Sequence, residues 1–180
     1  MEPLLIIILV FVFCFLIWYI LVLNNIKKAK LKTEEASSNI DVALTKRYDT
    51  LTKMLDVVKG YTKHEKETLI EVVNIRNGMT IKEKEETIEK LNKNYEQIKI
   101  IAENYPDLKS NENYITLQNS ISEVEESLQL ARKSYNTNVT NYNKIIVVFP
   151  TNIVAKLSGN KEQDLFEAEK EKKKDVKIDL

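Results

Sequence analysis

Charged residues that stand on or beside the apolar stripes of this chain are where any chemistry would have to sit. They are Arg47, Glu65, Arg76, Glu125 and Arg132. Each falls at or next to a position that the surrounding periodicity assigns to a buried face, so partial burial is expected. Half-buried charges need partners, and two readings follow. In the favoured one, ion pairs and hydrogen bonds between helices fix their register. In the other, Arg76 and Arg132 form a polar pocket for an anion or a partner's carboxylate. His64 stands beside Glu65 and, with Glu125, invites an acid–base reading. One imidazole without a nucleophile motif or a metal set does not make an active site, so no catalytic residue is assigned and no enzymatic activity is expected. Tyr135-Asn136 and Tyr142-Asn143 recur seven residues apart on one helix face. Rings with adjacent amides suit packing with cross-helix hydrogen bonds, or the docking of a partner.

Composition removes most other chemistry. Lys and Arg number 27 against 27 Asp and Glu, so the chain has none of the basic excess that phosphate backbones require, and no nucleic-acid partner is expected. Three Gly and three Pro are too few for a turn-rich β fold or a phosphate-cradling loop. The single cysteine, Cys14, excludes an intrachain disulfide, and with the single histidine it leaves no zinc set. No cofactor or metal ligand is assigned.

The elements that must position these residues begin with residues 4–23, an unbroken apolar run without charge, Gly or Pro. As a helix it spans roughly 30 Å, about the thickness of a bilayer's hydrocarbon core. A cleaved signal would want a basic start and a small-residue exit, whereas this run starts after Met-Glu-Pro and leaves through Leu23-Asn24-Asn25-Ile26. The expectation is an uncleaved membrane-spanning anchor contacting lipid through residues 4–23, with Cys14 as apolar filler. Lys27, Lys28, Lys30 and Lys32 follow the span directly, which predicts the amino terminus outside and the remainder in the cytoplasm.

Beyond the anchor the periodicity predicts an all-α protein: the anchor helix continues into an antiparallel bundle of about three long helices plus a short carboxy-terminal helix. The first runs to about Arg76 with a stripe of Ile40, Leu44, Leu51, Met54, Val58, Tyr61, Leu69 and Val72, Arg47 taking one stripe position. Asn77-Gly78 breaks it, and Thr80 with Glu83 forms a capping box for the second helix. That helix carries Ile81, Ile88, Leu91, Tyr95, Ile98 and Ala102 and ends at Tyr105-Pro106. The third, capped by Asn111, alternates steps of three and four from Tyr114 to Tyr142. Phe149-Pro150 closes it ahead of a short amphipathic turn, Ile153 to Leu157. The chain divides into a short tail (1–3), the span (4–23), the bundle (24–159) and a charged, flexible tail (160–180).

Several motifs resemble those of the LemA family of bacterial single-span membrane proteins. They are Ala36-Ser37-Ser38-Asn39-Ile40-Asp41-Val42-Ala43-Leu44, Arg47-Tyr48-Asp49, Tyr61, His64-Glu65, Arg76 and Tyr105-Pro106-Asp107-Leu108-Lys109. Further along come Leu117-Gln118, Glu125, Arg132, Tyr135-Asn136, Tyr142-Asn143 and Phe149-Pro150. Thr52-Lys53 departs from the family's usual Pro-Asn, and Gly159-Asn160 from its frequent Gly-Phe. The resemblance implies an antiparallel helical bundle on a membrane anchor and no established enzymatic activity. Some relatives carry a lipoprotein-type cysteine that would put the domain outside the cytoplasm, against the lysine flank.

Helix lengths carry a further expectation. A second helix of about 25 residues, folded back along the first, ends level with about Thr50. The third helix then climbs away from the membrane, and the stripe at Ile40, Leu44 and Arg47 is left without cover. A bare apolar stripe marks a contact with another chain, so self-association or another membrane protein is expected at that stalk; the alternatives are a third helix that bends back over it or a stripe that dips toward the lipid surface. Function then reads as a membrane-anchored α-helical scaffold or adaptor of the bacterial envelope acting through helix–helix contacts. The alternative is a ligand- or stress-responsive regulator using the polar cluster between the helices.

Overall fold

A computed structural model describes residues 2–61, 75–76 and 78–167. His64, Glu65, Leu69, Val72 and Asn77 lie outside the described residues. The described chain is helical, without strands: α1 (Glu2–Tyr61), α2 (Ile81–Asn104), α3 (Pro106–Lys109), α4 (Glu112–Val147) and α5 (Thr151–Leu157). The all-α fold with a long apolar amino-terminal helix is as expected. Two compact units divide it: Met1–Ser37 with Ser134–Asp164, and Ser38–Lys133 with Leu165–Leu180. Helices α1 and α4 each contribute to both.

Helix α1 is 60 residues of which only Pro3, in the first turn, and Gly60, in the last, are poor helix formers. Residues 3–17 are exposed. From Val22 onward a buried stripe begins: Val22, Ile26, Thr33, Ala36, Ile40, Ala43, Arg47, then Leu51, Met54 and Val58. The steps are almost all three, four or seven, the signature of a helix that presents one seam to a neighbour. This seam starts eighteen residues before Ile40, because Ala and Thr occupy several of its positions and do not register as apolar peaks.

Helix α2 starts on the expected capping box. The Thr80 hydroxyl accepts from Glu83 N, and Thr80 N donates to Glu83 Oε2 at 2.7 Å. Gly78 precedes it with φ +79, a conformation that Gly adopts without a Cβ penalty. Glu83 also receives Arg76. The Thr80 backbone N–H first, then Arg76 and the Thr80 hydroxyl, hold the Glu83 carboxyl below its ordinary range. A lowered folded value means the cap's contribution is present above the unfolded carboxylate pKa and is lost as pH falls through the folded one. We therefore expect the start of α2 to fray in the acid limb, below about pH 4, and Glu83→Gln to flatten that limb. Amide exchange of residues 81–84 across an acid titration measures it; identical acid limbs in the two proteins would refute it.

The expected hairpin of the first two helices is not formed. In the second unit Lys84, at the start of α2, meets Asp41, while Asn111, just beyond α2, donates to the Tyr61 hydroxyl at 2.7 Å. Helix α2 therefore runs alongside α1 in the same direction. Helix α4 is the antiparallel neighbour, since Asn111 sits by Tyr61 and Glu125 by Arg47. In the first unit the same order continues, with Tyr142 and Ile146 in one cluster with Val22 and Ile26. So the third long helix does not climb away from the anchor but returns to it.

That return corrects the stalk argument. Ile40 and Leu44 are 0% exposed and Arg47 is 3% exposed. The stripe expected to be bare is core, and its cover comes from the chain itself. The physical reason is the direction of α2: level arithmetic based on a hairpin placed both later helices too far along α1.

Candidate functional site

Among its described residues the second unit holds two buried basic side chains. Lys84 is 1% exposed and its Nζ lies 2.7 Å from Asp41 Oδ1; Arg47 donates from Nη2 to Glu125 Oε1, also at 2.7 Å. Their carboxylate partners keep some solvent contact, 20% for Asp41 and 40% for Glu125. Asp41 and Arg47 are both on α1, separated by less than two turns, and each reaches a different helix. The pairs thus tie α1 to α2 and to α4 at stated positions along the seam, which is what the register reading required of Arg47 and Glu125. Sequence reasoning grouped Glu125 with His64 and Glu65, which lie outside the described residues, and missed Lys84 altogether. A signal for Lys84 existed: it interrupts the steps Ile81, Lys84, Ile88, Leu91 as Arg47 interrupts those of α1.

The remaining motif residues on α4 have a different task. After α5 and the turn at Gly159, residues 160–167 form a strap without helix or strand. In the first unit, Asn143 Nδ2 donates to the Gln163 carbonyl at 2.9 Å, and Gln163 N donates to Asn143 Oδ1 at 3.0 Å. The side-chain amide thereby pairs with both backbone groups of one residue, as a neighbouring strand would. The Tyr135 hydroxyl donates to the Asp164 carbonyl at 3.0 Å, and the Tyr142 hydroxyl meets Asn160 Oδ1 at 3.2 Å. Burial, with Asp164 adding to it at Tyr135, pushes both phenols above their ordinary range, so they remain donors well into alkaline solution.

In the second unit the strap continues. Phe166 is 5% exposed, with the Arg132 guanidinium 5.3 Å from its ring centre. Arg132 Nη2 donates to the Glu167 carbonyl at 3.2 Å, and Glu167 N donates to Glu85 Oε1 at 2.8 Å. Arg132, which the sequence paired with Arg76 in a polar pocket, holds this segment, and Arg76 is engaged by Glu83. The tail expected to be flexible from 160 is thus tied to α4 and α2 at several of its first eight residues, with Phe166 buried, and residues 168–180 lie outside the described residues. Phe166, the one aromatic in a charged stretch, was the available signal.

Most of these contacts go to backbone atoms, so the grip depends on α4 more than on the strap's own side chains. Asn143→Ala removes two hydrogen bonds to Gln163, worth about 1–3 kcal/mol together. We expect roughly ten- to hundredfold faster amide exchange at Gln163, and earlier tryptic cleavage after Lys161, with helix content unchanged. Unaltered exchange at Gln163 would show that the strap is held elsewhere.

Among the described residues no group of three or more His, Cys, Asp or Glu is placed to hold a metal ion. Of the polar residues that the sequence marks out, Arg47 and Glu125 are joined to each other, Arg76 to Glu83, and Arg132, Tyr135, Tyr142 and Asn143 to the strap. The LemA family model matches residues 36–180, which is α1 from Ala36 onward and everything after it.

The chain belongs to the LemA family.

It is also 28% identical over 158 residues to Protein LemA of Metamycoplasma hominis, an alignment covering 85% of this chain and 72% of that relative. Family membership and the one described helix that is long and apolar enough to cross a membrane, within Pro3–Tyr61, agree on a membrane-associated helical protein. The residues quoted for the resemblance acquire physical roles. Asp41, Arg47 and Glu125 are interhelical ties; Arg132, Tyr135, Tyr142 and Asn143 hold the strap. Tyr105-Pro106 separates α2 from α3, with Pro106 opening the short helix, and Asn111 caps α4 by accepting from Tyr114 N at 3.1 Å.

Proposed function

We propose that this LemA-family protein is a membrane-anchored α-helical scaffold or adaptor that acts through its outward helix faces and not by turnover. Residues 4–23 cross the bilayer, and the exposed lysines 27, 28, 30 and 32 hold the amino terminus outside and the bundle in the cytoplasm. The observation that carries the reading is the use made of the polar motif residues. Arg47, Glu125, Arg76 and Arg132 all have intramolecular partners, so the alternative anion pocket between Arg76 and Arg132 would have to compete with Glu83, Glu167 and the Phe166 ring.

With Leu44 inside the core, partner contacts move to the apolar side chains that face outward in the second unit. Ile100 is 58% exposed and Leu130 60%. A photo-crosslinking residue placed at each in living cells tests the proposal. Adducts at multiples of 20.9 kDa would mean self-association, and a discrete adduct of another mass would mean a second protein; either supports a scaffold. Monomer alone at both positions would overturn it. Protease added to intact and to permeabilised cells separately tests the side of the membrane: cleavage of the bundle in intact cells would reverse the orientation.

A further inference from the structure

The corner between α4 and α5 exposes an unusual amount of apolar surface. Val147 is 55% exposed, Val148 58%, Phe149 73%, Ile153 51% and Leu157 73%. These side chains are close in sequence and belong to the first unit, the one that contains the anchor. The other side of the same corner is core: Ile146, Val154 and Ala155 pack in one cluster with Val22 and Ile26, and Trp18, Tyr19 and Leu23 lie against it. The corner is therefore built onto the last turns of the apolar run and the first turn beyond it. At that level a bilayer passes from hydrocarbon to headgroups, and Trp and Tyr are the residues that favour the boundary.

We infer that the α4–α5 corner is a second membrane contact, dipping Phe149, Leu157 and their apolar neighbours into the boundary of the leaflet from which the span emerges. The inference rests on the membrane-spanning reading of residues 4–23. Three further features fit a lipid surface better than a protein partner. From Ser134 to Asn160 the chain carries Lys144 and Lys156 and no acidic residue, and the exposed Lys27 and Lys28 follow directly on Ile26 of the same cluster. Lysines on both of these segments suit anionic headgroups. Three of the corner's backbone N–H groups are paired with nearby carbonyls, as an apolar setting favours. Val148 N donates to the Lys144 carbonyl, Asn152 N to that of Val148 and Ile153 N to that of Pro150. The hydroxyls of Thr151 and Ser158 also turn inward, to the carbonyls of Val148 and Val154. Finally, α5 is apolar both towards the core and towards the outside. That arrangement costs free energy in water, whereas a short helix lying in the interface gains from it.

The test uses the full chain with Cys14→Ala, reconstituted in phosphatidylcholine–phosphatidylglycerol vesicles. A single cysteine carries an environment-sensitive fluorophore at Phe149→Cys, Leu157→Cys, Leu16→Cys or Glu35→Cys. Both corner residues are exposed, so neither substitution removes a core contact. Glu35 is exposed and about 18 Å beyond Leu23 along α1. Lipids bearing a nitroxide near the top of the acyl chain should quench the label at Phe149 and Leu157 as strongly as at Leu16, and leave the label at Glu35 bright. Quenching at Leu16 without quenching at either corner position overturns the inference while the anchor stands. A blue-shifted but unquenched corner overturns it too, and points to a second protein copy as the cover. Absence of quenching at Leu16 would remove the anchor reading and this inference with it.

Discussion

Replacing Asp41 by Ala should destabilise the bundle by about 3–5 kcal/mol, more than most single substitutions in a helical protein. The helix propensity of Ala is better than that of Asp, so α1 itself gains slightly. The loss comes from Lys84, whose 1% exposure leaves its ammonium almost no water to replace the carboxylate at 2.7 Å. Breaking a buried pair from one side costs the remaining charge a close attraction while its burial persists, whereas replacing both partners by apolar groups is often neutral or better. Asp41→Ala with Lys84→Met should therefore recover most of the loss. Urea unfolding of the full chain in detergent micelles, followed by circular dichroism, measures all three proteins. If the double variant is as unstable as Asp41→Ala, the pair is not the cause. Glu125→Ala should act in the same direction on Arg47 but less strongly, because a site that leaves Glu125 40% exposed admits water once the carboxylate is gone.

Leu44→Ala should cost about 2–5 kcal/mol, the range for an aliphatic side chain removed from a close-packed core, and Leu44→Glu should prevent the bundle from folding. Val42, two residues earlier on the same helix, is 53% exposed; Val42→Glu should change stability by no more than about 0.5 kcal/mol. The contrast between two neighbouring apolar residues is a direct readout of which face of α1 is covered. It also separates the observed fold from a bare stalk. With a bare stalk, Leu44→Glu would leave thermal unfolding of an isolated copy unchanged and alter only association. Thermal melts with light scattering on Leu44→Glu and Val42→Glu decide between the two, and an unchanged melting temperature for Leu44→Glu would sink the covered-seam account.

Tyr135 and Asn143 illustrate how far a local pattern reaches. Their seven-residue recurrence with Asn136 and Tyr142 marked one face of α4 as special, and both outcomes it allowed were contacts made by ring hydroxyls and amides. What they contact was not legible, because the strap is joined to α4 through α5 and the Gly159 turn and carries almost no apolar pattern of its own. A charged stretch such as 160–167 reads as solvated when its only anchor is a single Phe166, and backbone-directed hydrogen bonds leave no trace in the residue types of the segment being held. Arg47 and Glu125 were recognisable as half-buried charges for the opposite reason: Arg47 interrupts an apolar stripe and Glu125 borders one, and both are visible in one dimension. Their pairing with each other was not.

The amino-acid sequence by itself determined the membrane-length apolar run at 4–23, the helical class, the boundaries at Thr80, Pro106, Asn111 and Pro150, and the buried face of α4. All of these follow from local rules: side-chain hydropathy at a period near 3.6, capping hydroxyls and amides, and the backbone constraints of Gly and Pro. Only the tertiary structure decided that α2 runs with α1, that α4 returns to the anchor, and hence that Ile40, Leu44 and Arg47 are interior. An apolar stripe with steps of three and four states that a helix has a buried face, but it reads the same in a parallel and an antiparallel neighbour. The direction is chosen by which arrangement gives Lys84 and Arg47 their carboxylates and closes the seam from Val22 to Val58, a condition on the whole chain and not on any one segment of it.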